Sequence, residues 1–294
     1  MTDAALPARA STTATTIGLC AILLWSALAL MTAASGEVPP FELAALTFTV
    51  GGGCGLVYAA LRGRLAALLQ PWPVWLVGIG GLFGYHALYF AALRRAPPAE
   101  ASLIAYLWPL LIVLLAALQP GERLSARHVV GAGLGLAGVV ALFAGKADGA
   151  LFSGASWSGD ILALGCAFVW STYSVASRRL KEAPTEAVAG FCLVTALLST
   201  LCHFAFETTI APANAGQWLA ILGLGLGPVG LAFYVWDYGV KHGDIKLLGV
   251  AAYAAPVLST LILVAAGFAP ATASLALACA LIVAGAAVAS IKRG

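Results

Sequence analysis

Charge is scarce in this sequence. Only 9% of its 294 residues are Asp, Glu, Lys or Arg, against roughly 25% in a soluble domain. A globule of this length wetted on all sides is therefore excluded. The six cysteines (Cys20, Cys54, Cys166, Cys192, Cys202 and Cys279) all fall inside apolar runs and none has CxxC spacing. That argues against a thiolate metal site or a disulfide frame. There is no HExxH, no pair of aspartates within an apolar run and no histidine–cysteine cluster, so chemistry for a membrane-embedded enzyme is not visible and no cofactor is implied. Nucleic acid has no basic patch to bind. Alternating strands of about ten residues, the signature of a membrane barrel, are also missing.

What is present is apolar sequence, 62% of residues with a mean hydropathy of +0.98. Runs near the roughly 20 residues needed to cross a bilayer as a helix fall at about 15–34, 40–61, 73–93, 98–118 and 126–144. Five more lie at 160–178, 184–206, 217–239, 245–267 and 272–291. These runs predict an all-α integral membrane protein of ten transmembrane helices. Residues 1–14 read as a disordered cytoplasmic N-terminus, 15–145 as a first five-helix unit, 146–159 as a connecting loop and 160–294 as a second unit. The first run is longer than a signal-peptide core and has a counterpart later in the chain, so it is expected to stay.

Alternate assignment of the loops, starting with the N-terminus in the cytoplasm, sorts the positive charges. Arg9, Arg62, Arg64, Arg123, Arg127, Arg178, Arg179, Lys181, Lys241, Lys246, Lys292 and Arg293 then lie inside, and only Arg94, Arg95 and Lys146 outside. Twelve against three places both termini in the cytoplasm by the positive-inside rule.

The two units resemble each other. Trp25-Ser26 and Pro39 recur as Trp170-Ser171 and Pro184 at an offset of 145; Tyr106, Pro109 and Gly138 recur as Tyr253, Pro256 and Gly285 at 147. Five spans per unit is an odd number, so the second unit must be inverted. Inverted repeats place a binding site near the midplane at their interface, commonly beside broken helices. Pro109 and Pro256 each interrupt an apolar run. A mid-helix proline removes one hydrogen bond and frees the carbonyl four residues earlier, here that of Ala105 in the fourth run. Both prolines are expected hinges.

The two halves, the Trp-Ser pair early in each, SVASRRL closing the sixth run and the prolines of the fourth and ninth runs resemble the EamA-type branch of the drug/metabolite transporter superfamily. ATTIGLCAILLWS, AYLWPLLIVLLA and HGDIKLLGVAAYAAPVLST are similar to its amino-acid-exporting members. The resemblance covers almost the whole chain. It implies an inner-membrane exporter with a central cavity lined by the first, third, fourth, sixth, eighth and ninth helices, the fifth and tenth being peripheral. Many members carry an arginine early in the second helix, where this chain has Thr47-Phe48.

Two GxGxxG matches (Gly133/Gly135/Gly138 and Gly225/Gly227/Gly230) lie inside membrane runs. They lack the strand-to-helix setting of a nucleotide site. Gly51/Gly55, Gly80/Gly84, Gly131/Gly135 and Gly223/Gly227 read instead as small-xxx-small contacts between helices. Residues 154–159, GASWSG, do not complete a nucleophile elbow. The candidate substrate residues are the deep polar and aromatic ones: Trp25, Tyr85, His86, Tyr89, Tyr106, Trp108, Trp170, Tyr173, Tyr234, Asp237 and Tyr253. Ionisable groups within membrane runs mark function by default. His86 has two readings, a cavity-wall hydrogen-bonding group or a histidine satisfied by a neighbouring helix. Asp237 likewise either meets a substrate ammonium or pairs at the interface with Lys241 one turn on. Tyr106 and Trp108, two residues apart, can share a cavity only if the helix is disrupted before Pro109. No acidic residue occurs between Ile17 and Met31, where small multidrug pumps of similar fold carry a proton-exchanging glutamate. The expectation is a monomeric secondary transporter, embedded in the lipid bilayer, that exports aromatic and other apolar amino acids. The alternative is an exporter of another small metabolite or drug on the same scaffold.

Overall fold

The computed structural model describes residues 11–96, 98–119, 125–144, 157–265, 267 and 271–291. Arg9, Arg123, Lys146, Lys292, Arg293 and most of the 146–159 connection lie outside these residues. The described chain is all helical, in ten spans that each cross the bundle once. They are Thr12–Ala34, Pro40–Leu61, Trp72–Leu93, Pro98–Ala105 with Trp108–Ala117, Ala126–Ala144, Trp157–Arg179, Thr185–Phe206, Ala215–His242, Ile245–Ala251 with Ala254–Ala265, and Ala273–Ser290. Seven of them are long and apolar enough to cross a membrane, and the other three are shorter apolar helices. The first begins at Thr12, earlier than its apolar run, because the Ser11 side chain accepts a hydrogen bond from the Ala14 N–H at 3.3 Å and caps it.

The proline effect is local. The fourth helix is interrupted by a turn at Tyr106-Leu107 and the ninth by one at Ala252-Tyr253, each just ahead of its proline. Two further irregularities are not evident from composition. The first helix breaks at Ala27, where the Ser26 hydroxyl donates to the Leu23 carbonyl at 2.6 Å and competes with the backbone. The eighth helix widens to a π-turn over Gly227–Leu231, around Pro228.

Contacts at the two ends of the bundle establish the chain direction. Where the first helix begins, the Ser11 N–H donates to the His242 carbonyl at 2.9 Å and the Asp244 N–H to Thr15 Oγ1 at 2.9 Å. Arg178 donates to the Gly243 carbonyl at 2.8 Å on the same side, and Arg64 pairs with Glu186 there. At the opposite face, the Glu207 carboxylate accepts from the Phe41 and Glu42 N–H groups at the start of the second helix and pairs with Arg94 at 2.9 Å. The first helix thus starts on the face where the sixth ends, and the second half of the chain is inverted relative to the first. Helix pairing obeys this symmetry: second against seventh, fourth against ninth, fifth against tenth, with the first-eighth contact mirrored by third-sixth.

Small residues set how closely the helices approach. A Cβ added at Gly131 would lie 2.6 Å from the Gly285 carbonyl, whereas one at Gly133 would meet nothing within 4 Å. Gly51 is equally tight against Gly230 of the eighth helix, but Gly80 faces open space and Gly84 makes only an ordinary contact with Val169. The small-xxx-small expectation therefore applies to Gly51/Gly55 and Gly131/Gly135 and not to Gly80/Gly84, nor to Gly223/Gly227, where an added Cβ would make only ordinary contacts with Met31 and Leu24. Gly131→Leu is expected to destabilise the fifth–tenth helix pair by about 1–3 kcal/mol through overpacking. Gly133→Leu should leave the melting temperature of the purified protein unchanged. Equal melting temperatures for the two variants would contradict this account.

Candidate functional site

The breaks converge on one chamber. A cavity of about 810 Å³ lies between the two halves, within the roughly 300–1,000 Å³ range of small-molecule sites. Its mouth is formed by Thr32, Gly36, Val38, Pro40 and Leu93, at the face where the first helix ends. Its floor is aromatic. Trp25, Trp108 and Trp170 lie there with ring centres 5.7–6.3 Å apart, largely edge to face. Trp236, fully buried, backs them, 5.1 Å from Trp25 and 5.8 Å from Trp108. Edge-to-face packing of this kind adds to burial energy, and it seals the chamber from the opposite face.

The walls carry the polar groups. Tyr85, His86 and Tyr89 come from the third helix, Ala105 and Tyr106 from the fourth, and Pro256, Ser259 and Thr260 from the ninth. Tyr106 and Trp108 both reach the chamber because the turn at Tyr106-Leu107 resets the helical phase between them. Ala105, whose carbonyl Pro109 cannot satisfy, is part of the same wall. His86 Nδ1 lies 2.7 Å from the Leu82 carbonyl. A carbonyl can only accept, so Nδ1 carries the proton and Nε2 of the neutral ring is left as an acceptor. Phe48 packs edge-on against this imidazole, with centroids 5.0 Å apart at 87°. Tyr89 and Ser102 share a hydroxyl hydrogen bond of 2.8 Å. Trp25 Nε1–H donates to the Pro228 carbonyl at 3.1 Å, tying the floor to the π-turn. No described side chain lining the chamber belongs to Asp, Glu, Lys or Arg.

The sequence-derived candidates divide here. Trp25, Tyr85, His86, Tyr89, Tyr106, Trp108, Trp170 and the hinge Pro256 line the chamber; Tyr173, Tyr234, Asp237, Tyr253 and the hinge Pro109 do not. Tyr173 shares a helix with Trp170 but packs on Gly81 of the third helix, below the floor. Tyr234 is turned away because the preceding π-turn inserts an extra residue, which rotates the residues beyond it by about 100°. It donates to the Gly51 carbonyl at 3.1 Å, and Phe233 takes the cavity-facing place. Asp237 pairs with Lys241 at 2.8 Å, as the i,i+4 spacing predicts, but the pair is buried instead of snorkelling to an interface. Thr185 donates to Asp237 at 2.8 Å and Lys241 to the Ala183 carbonyl at 2.9 Å. Tyr253 is fully buried against Gly135 of the fifth helix. Pro109, also buried, sits on the far side of its turn.

Sequence reasoning missed several wall residues. The second helix contributes Leu43, Ala44, Thr47 and Phe48, and the fifth, expected to be peripheral, contributes Leu142. The depth of Thr47-Phe48 in the second run was an available signal, whereas nothing in the composition around Leu142 distinguishes it. Among described residues no group of three or more His, Cys, Asp or Glu side chains could hold a metal ion.

Comparison with known proteins agrees with this architecture. The profile of the EamA-like transporter family matches twice, over residues 12–144 and 157–291. The chain is 61% identical over 279 residues to the aromatic amino acid exporter YddG of Ancylobacter novellus, covering 95% of this chain and 97% of that one. It is 27% identical to YddG of Salmonella typhimurium, over 84% and 86% of the respective chains. A crystal structure 60% identical in sequence superposes with a TM-score of 0.91, over 95% of this chain and 97% of the other. With one profile repeated across both inverted halves, this chain belongs to the EamA-like transporter family.

Proposed function

We propose that this protein is a secondary transporter that exports aromatic amino acids across the bacterial inner membrane by alternating access. The observation that carries the reading is a chamber with a tryptophan floor and no charged side chain among its described lining, placed at the break of the fourth helix. A planar side chain stacks on Trp25, Trp108 and Trp170, gaining edge and face contacts of about 0.5–1.5 kcal/mol each beyond burial. The zwitterionic end sits at the break. The ammonium meets His86 Nε2 and the freed Ala105 carbonyl, both acceptors. The carboxylate meets hydroxyls of the chamber wall, supplied by Tyr106 and Ser259. Names of the relatives support the substrate class, since the YddG proteins are called aromatic amino acid exporters.

The positive-inside bias supports cytoplasmic termini. The mouth at the end of the first helix then faces away from the cytoplasm, in the conformation that releases cargo. Without an acidic residue between Ile17 and Met31, the first helix has no proton exchanger, and efflux runs down the amino acid gradient. The chamber is complete within one chain, so a monomer suffices. Proteoliposomes preloaded with labelled phenylalanine are expected to release it several times faster than protein-free vesicles, with unlabelled tryptophan competing. Equal leakage from both preparations would remove the assignment.

A further inference from the structure

The inverted halves carry the same four-residue pattern, yet their tyrosines occupy different places. Tyr106-Leu107-Trp108-Pro109 and Tyr253-Ala254-Ala255-Pro256 each put a tyrosine at the helix break, three residues before a proline. Tyr106 lines the open chamber; Tyr253 is wholly buried against Gly135, where any Cβ would collide with its ring. The Tyr253 hydroxyl accepts the Leu110 N–H at 3.2 Å. That N–H belongs to the first turn of the Trp108–Ala117 half-helix, among the donors a helix start leaves without an intrahelical partner. The prolines are reversed in the same sense, with Pro256 on the chamber and Pro109 buried off it.

Two copies of one fold in two conformations imply a partner state. An inverted-repeat transporter opens to its other face when the halves exchange conformations around the fixed site. We infer that Tyr253 is the substrate-contacting residue of the alternate, oppositely open state, taking the place that Tyr106 holds here, and that its hydroxyl bond to the Leu110 N–H latches the present state. The proposal rests on the transport reading above and adds a residue that touches substrate in only one half of the cycle. In the exchange, Tyr253 leaves Leu110 and swings to the chamber, while Tyr106 withdraws towards the fifth and tenth helices. Ile282, which lies 147 positions after Gly135, fills the place where a glycine would accommodate that ring. Tyr106 is therefore received less well than Tyr253, and the state seen here is the one in which the better-fitting ring is buried.

Sidedness tests this directly. Tyr106→Cys and Tyr253→Cys are placed separately in the full-length protein, in right-side-out and inside-out membrane vesicles. A membrane-impermeant thiol reagent is added, and labelling at the introduced position is read by mass spectrometry. Tyr106→Cys should react from the open face. Tyr253→Cys should react at least tenfold faster from the other face, and phenylalanine should slow it. Reaction of Tyr253→Cys from the open face, or from neither face while Tyr106→Cys reacts, overturns the exchange. Phenylalanine that slows neither position counts against the substrate assignment, while sidedness still decides the exchange. A second measurement keeps the hydroxyl and so the fold. With 3-fluorotyrosine at position 253, two fluorine resonances are expected, and phenylalanine should move only the minor one. A single resonance indifferent to phenylalanine, with one at position 106 that responds, also overturns it.

Discussion

Lys241→Met is expected to destabilise the protein by about 3–5 kcal/mol, the usual consequence of removing one partner of a buried ion pair. Both side chains are almost fully enclosed, 4% exposed for Lys241 and 2% for Asp237. The lysine is also the donor to the Ala183 carbonyl, and Asp237 keeps only Thr185 once it is gone. The carboxylate would then be buried with a single hydroxyl donor in place of a cation. Asp237→Asn combined with Lys241→Met removes both charges and should recover more than half of the lost stability, because no uncompensated charge remains. Thermal unfolding of the purified protein in nanodiscs, read from tryptophan fluorescence, separates these outcomes. A double variant as unstable as Lys241→Met would show that packing around the lysine stem, and not its charge, holds this end of the eighth helix.

That pair also illustrates how far sequence reading reaches. The i,i+4 spacing of Asp237 and Lys241 predicted their contact, because helical geometry fixes it locally. Their burial was not legible, since it depends on the sixth-to-seventh helix connection folding over them at Ala183 and Thr185. The same division holds along the chain. Ten spans, two inverted halves and breaks ahead of Pro109 and Pro256 come from apolar length, repeat offset and the missing proline N–H, all properties of the chain itself. Tyr106 and Trp108 facing one chamber is a consequence of that break. Tyr234 was misplaced because the π-turn over Gly227–Leu231 shifts the helical phase, and Pro228 alone does not say whether a helix kinks or widens. Leu142 escaped notice because an apolar residue in a membrane run looks the same whether it faces lipid, a neighbouring helix or a cavity, and Thr47-Phe48 was singled out only as the place where relatives carry an arginine.

These particulars make the chamber a matter of phase as much as of composition. Each irregular turn rotates the residues beyond it, and the four helices interrupted mid-span among the described residues (first, fourth, eighth and ninth) all contribute to the cavity wall. Straight helices built from the same residues would pack their small-residue faces together. The turns at Ala27, Tyr106-Leu107, Gly227–Leu231 and Ala252-Tyr253 keep the centre open, and backbone left without helical bonding is tolerated where it is enclosed by protein, as at Ala252-Tyr253, or lines the cavity.

The floor of the chamber gives the largest expected change in transport. Trp170 contacts Trp25 at 5.7 Å, Tyr85 at 5.5 Å and Phe233 at 5.8 Å, so it joins elements of both halves at one surface. Trp170→Ala removes a chamber-lining ring and loosens the seating of Trp25 and Trp108. Loss of two or three aromatic contacts at about 0.5–1.5 kcal/mol each corresponds to a rise in the apparent KM of roughly fivefold at the least and about a thousandfold at the most, at 1.4 kcal/mol per decade. Phenylalanine flux below saturation should fall by the same factor, while Trp170→Phe, which keeps a ring, should lose much less. Truncating a buried tryptophan also costs about 3–5 kcal/mol of stability, so flux must be normalised to monodisperse protein recovered from the liposomes. If Trp170→Ala then carries phenylalanine at the wild-type rate and KM, the tryptophan floor does not seat the substrate's side chain. The binding surface would in that case lie higher in the chamber, along Tyr85, Tyr89 and Tyr106.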